Sequence, residues 1–370
     1  MPRSCGVSPH AMKIFSTPCQ SGPHAPAHAD QMLRHLLEVS RPRLHEMVSD
    51  PDEADFIFLS NLPINVDQQE LRRHWLFPKY LKKTFALWDA WNTPFLLPGI
   101  YVNAVRGRGL GRFRTGSYAL HHVDFKNPYV ETFDARGPGE REPDLLCSFL
   151  GRNCHPCRER IFRTQFERQD ILIEDTSRFD AFSHDSKGKA VDQRRYAEIC
   201  LRSKFILCPR GVGASSIRLF EALKLGVVPV IISDEWSPCV GPDWKRGAIF
   251  VREADVGRLE EVLITYEPRW REMGAAARQI HDTYFSERAY FNFLVANVAT
   301  IARRRVVPER LLSWLWPLKI SMYKKRTRLA AVPLRQRAAA ILGAKLFALA
   351  LMCDRANELA SMCAVGGTIG

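Results

Sequence analysis

The sequence has no apolar run long enough to cross a bilayer. The nearest candidate, residues 338–353, falls short of the ~20 residues a span requires and is interrupted by Lys345. The first twenty residues lack the apolar stretch of an export signal, so a reducing, cytoplasmic setting with free thiols is expected. The ten cysteines are scattered. Cys154 and Cys157 have C-x-x-C spacing, but no second pair follows at zinc-site distance. Loop or buried thiols are therefore expected there, and no metal. Asp52-Glu53-Ala54-Asp55 spells a helicase box, but no glycine-rich phosphate loop ending in Gly-Lys-Ser/Thr precedes it, which removes that reading. No internal repeat is visible.

What is present suits a large α/β protein. A chain of 370 residues can build two lobes of ordinary size, and with 46% hydrophobic residues it can bury a sizeable core. The formal charge of +13 first suggests an acidic partner. Its distribution changes that reading, because residues 301–370 hold 13 Lys and Arg against 3 Asp and Glu. A nucleic-acid enzyme would spread basic residues over its working face, so nucleic acid is not expected as a partner.

Along the chain, Lys13-Ile14-Phe15-Ser16 reads as a strand, and residues 30–48 carry apolar residues at helical spacing, broken into two helices at Arg41-Pro42. Phe56-Ile57-Phe58-Leu59 and Phe85-Ala86-Leu87-Trp88 read as buried strands with a partly helical stretch between them. Residues 99–144, rich in Gly, Arg, His and Pro, read as loops and an inter-lobe connection. A second strand–helix rhythm starts at Leu145, with strands expected near 146–150, 170–174, 205–208, 227–232 and 248–251. Helices are expected at 196–202, 215–225, 256–266 and 270–284. The rhythm predicts two parallel-sheet lobes, residues 1–144 and 145–300, followed by a basic amphipathic tail at 301–370.

Residues 203–234 carry the chemistry. A buried strand runs into Pro209-Arg210-Gly211-x-Gly213, a loop that can bring backbone N–H groups close to an anion. A helix then starts near Ser215-Ser216, and its positive end is a ready anion site. Arg210 and Arg218 add full charges, and Arg218 opposes the helix dipole and so calls for an anion. Glu221 follows three residues later on the same face, where its carboxylate can accept hydrogen bonds from ribose hydroxyls. An isolated R-x-x-E is more often a surface ion pair. The strand, the glycine loop, the helix start and the Val-rich strand that follows favour a nucleotide site instead.

Phe205-Ile-Leu-Cys-Pro-Arg-Gly211, Ser215-Ser-Ile-Arg-Leu-Phe-Glu-Ala-Leu223 and Gly226-Val-Val-Pro-Val-Ile-Ile-Ser-Asp234 resemble the conserved block of the exostosin-like glycosyltransferases, family 47. A weaker likeness extends to Asp50-Pro-Asp-Glu-Ala-Asp-Phe-Ile-Phe-Leu59, Ser148-Phe-Leu-Gly-Arg152 and Asp243-Trp244. The resemblance implies a GT-B fold: two Rossmann-like lobes with a donor cleft between them. It also implies a UDP-sugar donor, inversion at the anomeric carbon, and no metal or other cofactor. Arg210, Gly211, Ser216, Arg218 and Glu221 carry over as donor-binding positions, with Gly151 and Arg152; Ser215 and Asp234 complete the set. The family often has Pro-Phe after the Asp or Asn that ends the Val-rich strand. Here Asp234 is followed by Glu235-Trp236-Ser237-Pro238, which leaves the sugar open.

The acceptor is expected to be a glycan or a lipid-linked sugar. The sequence does not identify the general base; Asp124, His121 and His122 are candidates in the donor-facing lobe, where a solvated loop is the alternative. Asp50-Pro51-Asp52 matches a metal-binding D-x-D, but its place before a strand favours a turn. The tail alternates cationic and apolar content, which suits either peripheral contact with the inner face of a membrane or a solvated charge run. Two other readings stay open: an inactive GT-B lobe that binds a glycan or a partner, and a GT-B transferase of another family that uses a GDP-sugar.

Overall fold

The computed structural model describes residues 11–19, 28–60, 73–88, 96–101, 114–116, 126–132, 142–179 and 186–322. The chain divides into two compact units, Met1–Ser313 and Trp314–Gly370. Among the described residues, no helix is long and apolar enough to cross a membrane.

The first unit holds two parallel sheets. One has six strands in the order β2-β1-β3-β4-β5-β6: β1 Lys13–Pro18, β2 Glu46–Met47, β3 Phe56–Ser60, β4 Thr84–Trp88, β5 Gly99–Tyr101 and β6 Arg114–Gly116. The other has five in the order β11-β10-β9-β7-β8: β7 Leu145–Gly151, β8 Ile171–Asp175, β9 Ser203–Pro209, β10 Val228–Ile232 and β11 Ile249–Val251. All pairings are parallel. Parallel strands covered on both faces read as continuous apolar runs, and β3, β7 and β10 are buried along their whole length. The Ser203 hydroxyl, buried on β9, lies 2.8 Å from both the Ser148 hydroxyl of β7 and the Ile199 carbonyl, so both buried hydroxyls have a partner. Pro229 is tolerated in an inner strand because the β11 ladder begins one residue later, at Val230, so its missing N–H is not called on there.

Helices fill both faces of the second sheet. On one face, Cys157 and Ile161 of helix α3 (Pro156–Arg163) pack with Leu259 and Leu263 of α6 (Leu259–Tyr266). On the other, Leu219, Ala222 and Leu223 of α5 (Ile217–Leu225) pack with Ala277 and Ile280 of α7 (Trp270–Ile280). The long α8 (Glu287–Arg304) joins the two sheets. Its Tyr290, Phe291, Leu294, Val298 and Ile301 share one core with Leu33, Leu36 and Leu37 of α1 (His28–Val39) and with Ile100 of β5. Each such side chain contributes about 1.5–3 kcal/mol by leaving water. Two hydrogen bonds fix this docking: Arg41 N–H to the Arg288 carbonyl at 2.9 Å, and Asn292 Nδ2 to the Pro42 carbonyl at 2.7 Å.

Several expectations change. The second helix expected within 30–48 is absent: α1 stops at Val39, the Ser40 hydroxyl donates back to the Leu37 carbonyl at 2.8 Å, and Glu46–Met47 is the edge strand β2. Residues 99–144, read as loops, contribute β5, β6 and the one-turn helix α2 (Pro128–Glu131). Gly99 belongs in a strand because a Cβ there would stand 2.0 Å from the Ala86 carbonyl oxygen of β4. The helix expected at 196–202 is the longer α4 (Ser186–Leu201). α5 begins at Ile217 rather than Ser215, since Ser216 is extended (φ −134°, ψ 131°) and its side chain makes no cap hydrogen bond. The C-terminal stop at Gly226 is as expected, with φ +64°.

Asp50 and Asp52 form the turn before β3. The Asp52 N–H donates to Asp50 Oδ1 at 2.8 Å, and the Asp52 carboxylate takes Lys79 at 2.6 Å and the Tyr80 hydroxyl at 3.0 Å. Cys157 lies in the buried first turn of α3, where burial pushes its thiol up to about 12. In the second unit, Trp316 and Ile320 are buried on one side of a helical segment that starts at Trp316.

Candidate functional site

The chain leaves β7 for β8 on one side and returns to β9 on the other. The loops after β7 and β9 therefore face one crevice at the carboxyl edge of the sheet, the place where open parallel sheets hold ligands. His155 caps α3, its Nδ1 accepting from the Cys157 N–H at 3.2 Å, with Pro156 in the first turn. Burial and the nearby Arg210 and Arg158 charges pull His155 down to about 4, so it stays a neutral acceptor. This start aims Arg158 inward.

Arg158 is 7% exposed and ties the two loops together. Its Nε donates to the Arg210 carbonyl at 2.8 Å, Nη1 to the Arg152 carbonyl at 3.0 Å and Nη2 to the Pro209 carbonyl at 3.2 Å. A Cβ on Gly211 would come within 3.3 Å of Arg158 Nη2, so a bare backbone suits that close approach. Arg218 binds the end of β7, its Nε donating to the Leu150 carbonyl at 2.9 Å. The ring of Phe149 lies 5.5 Å from the Arg158 guanidinium carbon and 5.2 Å from that of Arg218. Gly151 leaves room for this arrangement, since a Cβ would stand 2.6 Å from the Phe149 ring and 2.9 Å from Arg218 Nη2.

Neither Arg158 nor Arg218 has a carboxylate partner among the described residues. Burial, then the charge of Arg218, pulls Arg158 down to about 10. Two cations held only by carbonyls thus stand beside a helix start, an arrangement that favours an anion there. The Ser216 hydroxyl, at that helix start, is buried without a hydrogen-bond partner among the described residues.

Arg218 and Glu221, one helical turn apart, line one cavity of about 490 Å³. Its other walls include Leu150, the end of β8 and the loop after it (Glu174 to Phe179), Asp192, Arg195 and Tyr196 of α4, and Asn127 from ahead of β7. The β8 loop is tied to the β7 loop by Thr176 N–H to the Gly151 carbonyl at 3.1 Å and Asn153 N–H to the Ser177 hydroxyl at 3.1 Å. The Tyr196 hydroxyl donates to Glu221 Oε2 at 2.7 Å. Burial raises the Glu221 carboxyl above the usual carboxylate range, against the opposing pull of Tyr196 and Arg218, and burial also raises the Tyr196 phenol. A second cavity of about 420 Å³ shares Asn127 and Glu221 with the first.

The residues singled out in the sequence fall into two groups. Arg218 and Glu221 meet in the cavity, with Gly151 beneath Arg218 and Ser216 beside it. Arg210 does not join them: its side chain pairs with Glu235 at 2.8 Å and Glu253 at 3.5 Å, and its carbonyl goes to Arg158. Asp234 and Glu253 bond reciprocally: the Asp234 carboxylate accepts from the Glu253 N–H at 3.1 Å, and the Asp234 N–H donates to the Glu253 carboxylate at 3.2 Å. Arg152 is exposed and contributes its carbonyl. Asp124, His121 and His122 lie outside the described residues. Sequence reasoning missed Arg158, Tyr196, Asn127 and the β8 loop. Only the position of Arg158, just behind the Gly151-Arg152 turn, could have drawn notice.

Residues 111–265 match the family profile of the Exostosin GT47 domain. The chain carries an exostosin-like GT47 domain. All the residues lining the 490 Å³ cavity fall inside the matched range. The chain is 39% identical over 98 residues to an exostosin-1 homolog of Caenorhabditis elegans, covering 25% of each chain. It is 40% identical over 72 residues to a probable glucuronosyltransferase, GUT1, of rice, covering 18% of this chain and 17% of that one. It is 28% identical over 162 residues to exostosin-2 of Bos taurus, covering 40% of this chain and 22% of that one. The matched parts thus span a quarter or less of these relatives' own length. Among solved structures, an α1,3-fucosyltransferase is similar at a TM-score of 0.36 and 14% identity, over 83% of this chain and 94% of that one. The two parallel-sheet α/β layers of this chain are themselves the expected architecture.

Proposed function

We propose that this GT47 chain transfers a sugar from a UDP-sugar to a glycan or lipid-linked acceptor, with inversion at the anomeric carbon. The observation that carries the reading is the placement of Arg218 and Glu221 on adjacent turns of α5, in one cavity at the carboxyl edge of β7 and β8. In this reading the diphosphate lies against Arg218 and the start of α5, and these charges stabilise UDP as it leaves. Arg158 fixes the loops that shape the cradle. Glu221, oriented by Tyr196, accepts from the ribose hydroxyls. Arg210, already paired with Glu235 and Glu253, supports the loop through its carbonyl and its ion pairs, and Asp234 braces the end of β10. The general base is left to the acceptor side of the cleft. Peripheral membrane contact through residues 301–370 belongs to the same reading.

Incubation with a panel of UDP-sugars and glycan acceptors, followed by measurement of released UDP, tests this. Release with at least one donor is expected. UDP binding without release under any donor would favour an inactive binding lobe. Tighter binding of GDP than of UDP would favour a GDP-sugar transferase.

A further inference from the structure

We propose that the helical segment within residues 314–322 docks on an anionic lipid surface through a defined apolar face. The inference deepens the membrane contact named above and is independent of the donor site. A surface helix normally turns one apolar stripe inward and a polar face to water. This segment is apolar on both sides. Trp316 and Ile320, four residues apart, are 1% and 5% exposed. Trp314, Leu315, Leu318 and Met322 are 78%, 46%, 56% and 56% exposed. Leu318 and Met322, four residues apart on the helix, form one exposed apolar stripe, and Trp314 and Leu315 extend it from the turn just before the helix.

Charge points to the occupant. Lys319 is half-buried beside the stripe, and the sequence continues with Lys324, Lys325, Arg326 and Arg328. From Trp314 to the end, nine Lys and Arg face two Asp and Glu. A second copy of this segment would bring the same cations together, and like charges oppose that pairing. An anionic bilayer answers both the exposed apolar stripe and the basic charge of the sequence that follows it. Its headgroups attract the cations, and its interface accepts an indole and short apolar side chains without needing a span. Trp is favoured at that depth.

The test uses the full chain and vesicles of phosphatidylcholine, with and without one-quarter phosphatidylserine. Co-sedimentation with the anionic vesicles is expected, at least about tenfold weaker with neutral vesicles and weakened again when salt is raised several-fold. Trp314→Ser combined with Leu318→Ser alters only exposed side chains; it is expected to lower vesicle binding about tenfold while circular dichroism and UDP affinity stay unchanged. Equal binding to neutral and anionic vesicles, full binding by the double variant, or no sedimentation at all would overturn the proposal. So would a dimer in gel filtration that the double variant dissolves, since that assigns the face to a second copy. UDP affinity is read in the same samples, so failure of the lipid arm leaves the donor reading standing on its own result.

Discussion

Replacing Glu221 by Gln should make the protein more stable at neutral pH and a weaker binder of UDP. Burial raises the native carboxyl, so the folded chain holds that proton more tightly than the unfolded chain, whose carboxyl titrates near 4.5. The stability contributed by Glu221 is therefore complete below about pH 4.5 and declines as pH rises through the raised native value. Gln removes that decline. It also keeps an acceptor for the Tyr196 hydroxyl, now 2.7 Å from Glu221 Oε2, so the local structure is retained. Against this, a carboxylate accepting from a ribose hydroxyl is worth about 1.5–3 kcal/mol, or roughly 10- to 150-fold in affinity. The assay pairs urea unfolding at several pH values between 4 and 8 with calorimetric titration of UDP. The variant's gain in stability should widen with pH while its UDP affinity falls. A variant less stable than the parent at pH 8, or one that binds UDP as tightly, would refute the reasoning.

Gly151→Ala places a methyl 2.6 Å from the Phe149 ring and 2.9 Å from Arg218 Nη2, so overpacking of about 1–3 kcal/mol is expected. Thermal unfolding should fall by several degrees, and UDP affinity should fall with it. Arg158→Met removes the three donors that join the β7 and β9 loops, at a cost on the order of 3 kcal/mol. Limited proteolysis should then cut near residues 209–216, and Arg158→Lys should not restore protection because an ammonium lacks the planar fork. His155 titrates near 4 in the folded chain against 6.5 unfolded, so its contribution is complete above pH 6.5 and is lost as pH falls toward 4. His155→Asn keeps an N-cap acceptor and should abolish that part of the acid sensitivity seen in urea unfolding.

Three strands of the second sheet were legible because strands covered on both faces carry near-continuous apolar runs, as at 145–150 (broken only by Ser148), 205–208 and 228–232. That Arg218 and Glu221 share one helix face was legible because helical spacing sets it. Arg158 was not, since its value lies in reaching carbonyls more than fifty residues away. Arg210 shows the same limit: its place on a glycine loop is visible in the sequence, but the ion pairs with Glu235 and Glu253 that hold its side chain come only with the fold. The β5 and β6 strands were hidden because a strand of three residues carries no period, and Gly99 is there for the approach of β4 rather than for a turn.

The most direct test of the central claim is calorimetric titration of UDP into the parent protein and into Arg218→Ala, with circular dichroism as the control on folding. The account predicts UDP binding by the parent and at least about a tenfold loss in the variant with its fold intact. Equal affinity in the two proteins would contradict it.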